Sequence, residues 1–148
     1  MKTTTSLNEK KSNDKSEQMD YQRDEHRVHL LIYHLVWCPK RRKPILTGPL
    51  KDRLIQLIEQ KCAEKGWDIL ELAVQSDHVH LFVRTWPAES VAEVIKELKG
   101  YTSFFLRQEF KPVVSKLPSL WTRSYFAATA GNVSAETIQR YIEAQKGV

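Results

Sequence analysis

The sequence has little of what marks secreted, membrane-spanning or cysteine-bound metal proteins. Its 148 residues include only two cysteines, Cys38 and Cys62, which are isolated and form no CxxC pair. That usage is typical of a reducing interior and argues against a cysteine-based zinc site. No apolar run approaches the length of a membrane span, and the polar N-terminus has no signal-peptide core. We therefore expect one domain with a real core and no membrane association.

Several common catalytic signatures are also missing. The chain has no P-loop, no Asp/Glu triad and no internal repeats. The pair His78 and His80 does not extend to the HxHxH pattern of histidine-triad nucleotide hydrolases, because Phe82 takes the next position on that side of a strand. The H-x-T/S pattern of two-histidine phosphoesterases is absent too, since no hydroxyl residue follows at the required spacing.

The charge is unevenly distributed. Residues 1–25 carry five basic and six acidic side chains and almost nothing to bury, so we predict a disordered polar tail there. The remaining 123 residues, which we take as the folded domain (26–148), hold 18 basic and 12 acidic side chains, a net charge of +6. A basic domain favours a polyanionic partner such as nucleic acid, although many basic domains bind none.

Strand and helix patterns alternate along this domain. Strands are predicted at residues 26–39, 67–75, 77–85 and 124–130. Helices are predicted from Pro49 to Lys65, from Ser90 to about Phe110 and from Ser134 to about Gln145, with a Pro-punctuated loop at 111–120. The order is β-α-β-β-α-β plus a final helix. It predicts an α+β, ferredoxin-like or RRM-like sandwich with an added C-terminal helix.

Local signals support these boundaries. Gly66 stops the first helix, whose inward stripe is Leu50, Leu54, Leu57, Ile58 and Cys62. Ser90 and Glu93 form a capping box for the second helix, in which Gly100 is a point where the helix can bend. Ser134 can cap the last helix.

The stretch QSDHVHLFVRT places two imidazoles on one face of a strand. His78, His80 and Phe82 point one way, whereas Val79, Leu81 and Val83 form a core face. An HxH strand is common, and surface or satisfied core histidines are the ordinary interpretation. The alternative is half of a metal site, which needs a third ligand.

The last helix offers that ligand. Tyr141 and Gln145 stand one turn apart on the face that Ile138 and Ile142 turn toward the protein. In the ordinary interpretation, Tyr141 is an amphipathic core residue and Gln145 a solvated terminus. In the alternative, the two residues belong to the same site as the histidines.

Taken together, these segments resemble the single-tyrosine HUH transposases of the insertion-sequence-200/605 family (TnpA type). The matching segments, from about residue 29 to 146, are YHLVWCPKRRKPIL, DHVHLFV, LKGYTS and LWTRSYFAATAGNVSAETIQRYIEAQ. The opening tail takes no part, and Ser76 stands where family members often have proline. Neither departure touches the expected chemistry.

The resemblance implies a metal-dependent single-stranded DNA transposase that cleaves and rejoins strands at hairpin-flanked element ends. Tyr141 would be the nucleophile that forms a 5′-phosphotyrosine. His78, His80 and Gln145 would hold a divalent cation, Mg²⁺ or Mn²⁺. The family further implies a homodimer with shared active sites and a cytoplasmic, prokaryotic location. Gly131 is the candidate hinge of the tyrosine helix, because glycine tolerates the backbone angles that a swinging connection needs; the alternative is that Gly131 merely ends the fourth strand.

Basic residues are candidates for contacts with DNA phosphates, with a solvated basic loop as the alternative. They are Lys40, Arg41, Arg42, Lys43, Arg84 and Arg123. The four tryptophans could stack on bases but are more typical of a core, so none is assigned to DNA.

Two other functions stay open at this point. A non-catalytic RRM-like nucleic-acid-binding module would keep the basic surface but has no reason to retain the histidine pair together with Tyr141. An unrelated small metallohydrolase that uses HxH would not require a tyrosine. A covalent protein–DNA adduct would support the transposase alone.

Overall fold

Four antiparallel strands form one sheet, in the order β2-β3-β1-β4, in the computed structural model, which describes residues 31–129 and 134–148. The strands are β1 (Leu31–Trp37), β2 (Asp68–Gln75), β3 (His78–Thr85) and β4 (Phe126–Thr129). The helices are α1 (Gly48–Lys65), α2 (Val91–Glu109), the short α3 (Lys111–Val114) and α4 (Ala135–Ala144). A 3₁₀ turn, Lys40–Arg42, follows β1. This arrangement confirms the predicted α+β, ferredoxin-like order with an added final helix.

The predicted helix boundaries are confirmed by their capping contacts. Gly66 adopts the left-handed φ of 72° that ends α1. The Ser90 hydroxyl accepts a hydrogen bond from the backbone N–H of Glu93 at 3.2 Å. Ser134 accepts one from the N–H of Thr137 at the same distance. Each cap satisfies a backbone group that the helix itself leaves without a partner.

Two sequence predictions need correction. The segment 111–120 was expected to be a loop, but it begins with α3, because Pro112 lies in the first turn, where a helix needs no N–H from it. The fourth strand starts only at Phe126, since Ser124 makes loop contacts instead of strand pairing. Gly100 does not interrupt α2. The predicted tail and Gly131 lie outside the described residues.

One face of the sheet forms the core with α1 and α2. Val79, Leu81 and Val83 of β3 are fully buried on this face, as their alternation predicts. The predicted stripe of α1 is buried in the same cluster. Three of the tryptophans are also buried, namely Trp37, Trp67 and Trp121. Among the described residues, no helix combines the length and the apolar character needed to cross a membrane.

Candidate active site

The histidine pair lies on the sheet face opposite α1 and α2. In the strand register, Phe82 pairs with His34 and His80 pairs with Val36. Directly paired residues of antiparallel strands project to the same face. His34 therefore lies on the face of the HVH strand from which His78 and His80 project, and its ring stacks on Phe82 with centroids 4.4 Å apart.

Each histidine of the pair is held by a neighbouring side chain. His78 Nδ1 lies 2.8 Å from a carboxylate oxygen of Asp77, and Nε2 forms no hydrogen bond with any residue that the structure describes. His80 Nε2 lies 3.1 Å from His34 Nδ1. Burial, followed by the nearby His34, lowers the pKa of His80 below its ordinary value. Both effects favour a neutral imidazole, which is the form that can bind a metal.

The tyrosine helix α4 packs on this same sheet face. The Tyr141 ring lies 5.8 Å from the ring of Phe126, and Phe126 pairs with Val36, which pairs in turn with His80. Val36 is fully buried although it points away from α1 and α2, and Ile142 of α4 is buried as well. Two strand spacings, roughly 10 Å, therefore separate the backbone beneath Tyr141 from that of His80.

Tyr141 and Gln145 meet at one serine, as their spacing of one helical turn allows. The Tyr141 hydroxyl lies 2.9 Å from Ser124 Oγ, and Ser124 donates to Gln145 Oε1 at 2.8 Å. Thr122 donates a longer hydrogen bond, 3.4 Å, to the same oxygen. Gln145 is only 8% exposed and is not a solvated terminus. Burial raises the pKa of Tyr141 to about 12, partly offset by the hydrogen bond with Ser124.

Arg42 connects the histidine strand to the tyrosine helix. Its guanidinium lies 3.3 Å from the carboxylate of Asp77 and 3.4 Å from that of Glu143, and it donates to the Ile142 carbonyl. The 3₁₀ turn that carries it has positive φ at both Arg41 (59°) and Arg42 (52°), which is uncommon outside glycine. The turn thus aims one side chain inward, where it contacts both halves of the site.

The other predicted DNA-contacting residues differ in their surroundings. Arg84 forms an ion pair with Asp68 at 3.3 Å on the outer part of the sheet. Lys40 is half-buried, whereas exposed positions are occupied by Arg41, Lys43 and Arg123. The exposed cations are the ones best placed to meet a phosphate backbone, while Arg42 and Arg84 already have carboxylate partners.

Some of the side chains at this site are suited to bind a divalent cation. His78 offers a free Nε2, and its Nδ1 contact with Asp77 is the outer-shell arrangement that orients metal-bound histidines. His80 would bind through Nδ1 or after turning away from His34. The Gln145 amide oxygen has two lone pairs, so it would have to release only one hydroxyl partner, the longer contact from Thr122, and could keep the hydrogen bond from Ser124 while it binds a cation. In the described part of the chain, no three His, Cys, Asp or Glu side chains form a metal-binding group on their own.

Sequence reasoning missed three residues of this site. His34 lies 46 positions from His80, and only strand pairing brings the two together. Asp77 precedes His78 in the sequence, but only the structure shows that its carboxylate contacts both His78 and Arg42. Ser124 was assigned to a strand, although its place beside Tyr141 depends on a contact across 17 residues.

The family model and the similar proteins found by sequence comparison are all transposases. A family model described as IS200-like transposase matches residues 27–145. The ISDra2 transposase TnpA of Deinococcus radiodurans is 32% identical over 120 residues, which cover 80% of this chain and 86% of that protein. The transposase for insertion sequence element IS200 of Salmonella typhimurium is 31% identical over 115 residues, or 76% of this chain and 75% of that protein.

Solved structures agree. A transposase candidate from Deinococcus radiodurans R1 superposes with a TM-score of 0.74 at 30% identity, covering 82% of this chain and 95% of that one. A REP-associated tyrosine transposase bound to a REP hairpin superposes with a TM-score of 0.54 at 13% identity, covering 79% of this chain and 65% of that one. The second similarity concerns the fold alone.

Proposed function

This chain belongs to the IS200-like transposase family, and we propose that it cleaves and rejoins single-stranded DNA through a phosphotyrosine formed on Tyr141. The observation that carries the proposal is that the tyrosine helix packs on the sheet face from which His78 and His80 project. Membership of the family removes the unrelated metallohydrolase from consideration. A non-catalytic nucleic-acid-binding module would bind DNA but form no covalent adduct, and this difference separates it from the proposed enzyme.

In the proposed reaction, the Tyr141 hydroxyl attacks the scissile phosphate in line. The bond between Tyr141 Oη and phosphorus forms as the bond from phosphorus to the 3′ oxygen breaks. The phenol proton is lost to solvent, and the departing oxygen takes up a proton to give a free 3′-OH. The 5′-phosphotyrosine keeps the energy of the phosphodiester, so the reverse attack by a 3′-OH needs no ATP. The phenolate is a good leaving group in that return step.

We propose that His78 and His80 hold a divalent cation, Mg²⁺ or Mn²⁺, with Gln145 supplying an oxygen ligand. When bound, the cation would polarise the scissile phosphate and neutralise developing charge. The lowered pKa of His80 and the free Nε2 of His78 support this assignment. A chelator should then abolish cleavage, and undiminished cleavage in its presence would exclude the metal.

We propose single-stranded DNA with hairpins near the element ends as the substrate. The net charge of +6 over residues 26–148 supports a polyanionic ligand. Arg41, Lys43 and Arg123 are exposed and form no ion pair within residues 31–129 and 134–148, so they can contact phosphates. A protein of the same fold is bound to a REP hairpin, and a hairpin is proposed for this chain as well.

An adduct assay tests the proposed function. Single strands carrying a hairpin are incubated with the protein and Mg²⁺ or Mn²⁺, and adducts are separated on a denaturing gel. We expect a covalent adduct that Tyr141→Phe abolishes while hairpin binding stays nearly intact. Tyr125→Phe is the matched control and should keep the adduct. An adduct of undiminished yield in Tyr141→Phe would contradict the assignment and redirect attention to Tyr125.

We also propose a homodimer in which α4 of one chain can serve the histidines of the other. Glycine at 131 suits such a connection, because it tolerates backbone angles that other residues avoid. Within one chain α4 is docked through Ser124 and Arg42, so the competing arrangement is a site built from a single chain. Mixing Tyr141→Phe protein with His78→Ala protein separates the two. Shared sites restore cleavage in the heterodimer, and single-chain sites restore none.

A further inference from the structure

The segment between Trp121 and β4 contacts both functional residues of α4. Ser124 Oγ is 2.9 Å from the Tyr141 hydroxyl and 2.8 Å from Gln145 Oε1. Thr122, which is 2% exposed, contacts the same Gln145 oxygen and accepts a hydrogen bond from the Ser124 N–H at 3.2 Å. Ser124 itself is exposed, so a DNA strand can approach this point.

The direction of these hydrogen bonds follows from the Gln145 amide. Its Nε2 lies 3.3 Å from the Tyr141 carbonyl, which can only accept, so the amide oxygen faces Ser124. That oxygen can only accept as well, and Ser124 therefore donates its single proton to it. Ser124 Oγ has two further contacts, with Thr122 Oγ1 at 3.2 Å and with the Tyr141 hydroxyl. With its own proton engaged by Gln145 it can only accept in these contacts, so the Tyr141 hydroxyl donates to Ser124 Oγ. The lone pairs of the Tyr141 oxygen are left pointing away from Ser124.

The position of Ser124 is fixed by Lys99 of α2. Lys99 Nζ donates to the carbonyl oxygens of Thr122 and Ser124, both at 2.7 Å. Two other contacts hold the segment, one to the end of β1 and one to α2. The Thr122 N–H donates to the Cys38 carbonyl at 3.0 Å, and Trp121 Nε1 donates to the Thr102 hydroxyl at 3.0 Å. The segment that carries Ser124 is therefore anchored to both α2 and the end of β1.

We propose that Ser124 is a further catalytic residue, whose hydroxyl touches the nucleophilic oxygen of Tyr141 and sets its orientation for attack. This inference rests on the proposed role of Tyr141. By accepting the phenol proton in a hydrogen bond, Ser124 fixes the rotation of the C–O–H group and directs a lone pair to the open side of the site. Lys99 is the positioning residue that acts through Ser124.

The test compares Ser124→Ala with a matched variant of the same segment, Ser119→Ala. The Ser119 hydroxyl donates to the Trp121 carbonyl at 3.0 Å, and among the described residues it forms no hydrogen bond with Tyr141. Single-turnover adduct formation is measured at saturating hairpin DNA, and hairpin affinity is measured separately. We expect Ser124→Ala to slow adduct formation by up to about tenfold, the value of one hydrogen bond, with affinity unchanged. Ser119→Ala should change neither, and Ser124→Thr should restore most of the rate.

A structural role for Ser124 would give a different pattern. If Ser124→Ala forms the adduct at the wild-type rate or faster, or if its slower rate is matched by Ser119→Ala, the inference is wrong. Failure of Ser124→Thr to recover any rate would also contradict it, since the hydroxyl is retained. Absence of an adduct from the wild-type protein would overturn the proposed function together with this inference, and that outcome is recognisable before any Ser124 variant is compared.

Discussion

The two faces of the sheet are built on different principles. The face toward α1 and α2 is mainly apolar, and Val79, Leu81 and Val83 of β3 have no exposed surface there. The opposite face carries His34, His78 and His80, which are held by individual hydrogen bonds, and α4 covers its end. Burial of apolar area accounts for the stability of the first face. The second face combines two buried apolar residues, Val36 and Ile142, with a few polar contacts, each worth about 1 kcal/mol.

The two faces should therefore respond differently to substitution. Neighbouring residues of β3 face opposite sides of the sheet. A substitution that abolishes cleavage can therefore leave the fold intact, and a substitution that destabilises the core need not remove any residue of the site. The polar face is therefore the place where activity and stability can be separated by single substitutions.

The largest effects are expected from two adjacent residues of β3. Leu81→Ala should lower the free energy of unfolding by about 2–5 kcal/mol, because it leaves a cavity in the closed core. His80→Ala should remove cleavage but cost only about 1 kcal/mol of stability, since it loses one hydrogen bond, to His34. Denaturant unfolding and adduct formation are measured on both variants. Comparable losses of stability in the two would show that the faces are not separable.

Substitutions in the basic turn should separate DNA contacts from site assembly. Arg41→Ala and Lys43→Ala should each reduce the slope of log affinity against log salt by about one unit, if each contacts one phosphate. Arg42→Ala should leave that slope unchanged and slow cleavage instead, because its guanidinium contacts Asp77 and Glu143. A salt slope reduced equally in all three variants would assign Arg42 to the DNA and contradict its linking role.

The smallest effect concerns Lys99, which is partly buried beside the carbonyl groups of Thr122 and Ser124. Burial lowers the pKa of Lys99 to about 8 from its ordinary 10.5. Between these pH values the unfolded chain binds more protons than the folded protein, so the contribution of Lys99 to stability increases as the pH rises. Between about pH 7.5 and pH 9 the free energy of unfolding of the wild-type protein should therefore increase relative to that of Lys99→Met. The increase should be at most about 1 kcal/mol, because solvent screens part of this side chain.

The control for this measurement is Lys96→Met, an exposed lysine one turn earlier in α2. Comparing each variant with wild type at every pH removes the contribution of Cys38 and Cys62, whose thiol pKa values burial raises to about 12. A wild-type advantage over Lys99→Met that is independent of pH would contradict the account of Lys99.

The elements were predictable because their signals are local. Gly66, Ser90 and Ser134 act within one turn of the helix that each delimits, and the alternation of β3 is visible in five consecutive residues. The short helix Lys111–Val114 was missed because two prolines, Pro112 within it and Pro118 after it, favoured a loop. Its existence depends on Pro112 falling in the first turn rather than inside the helix.

The candidate site was only partly predictable, because its remaining contacts join distant parts of the chain. Tyr141, His78 and His80 were identified from motifs and spacing. Lys99 reaches Ser124 across 25 residues, and Arg42 reaches the Ile142 carbonyl across 100. No periodicity links such residues, since only the folded sheet and the docking of α4 bring them together.

Mapping the adduct is the most direct test of the central claim, that Tyr141 attacks the DNA strand. Protein incubated with hairpin DNA and Mg²⁺ or Mn²⁺ would be digested with protease, and the DNA-linked peptide identified by mass spectrometry. The released strand would be tested for extension by a polymerase, which requires a free 3′-OH. We predict that the peptide carries a phosphodiester on Tyr141 and that the released strand is extended. A linkage to another residue, or a released strand that ends in a 3′-phosphate, would contradict the account.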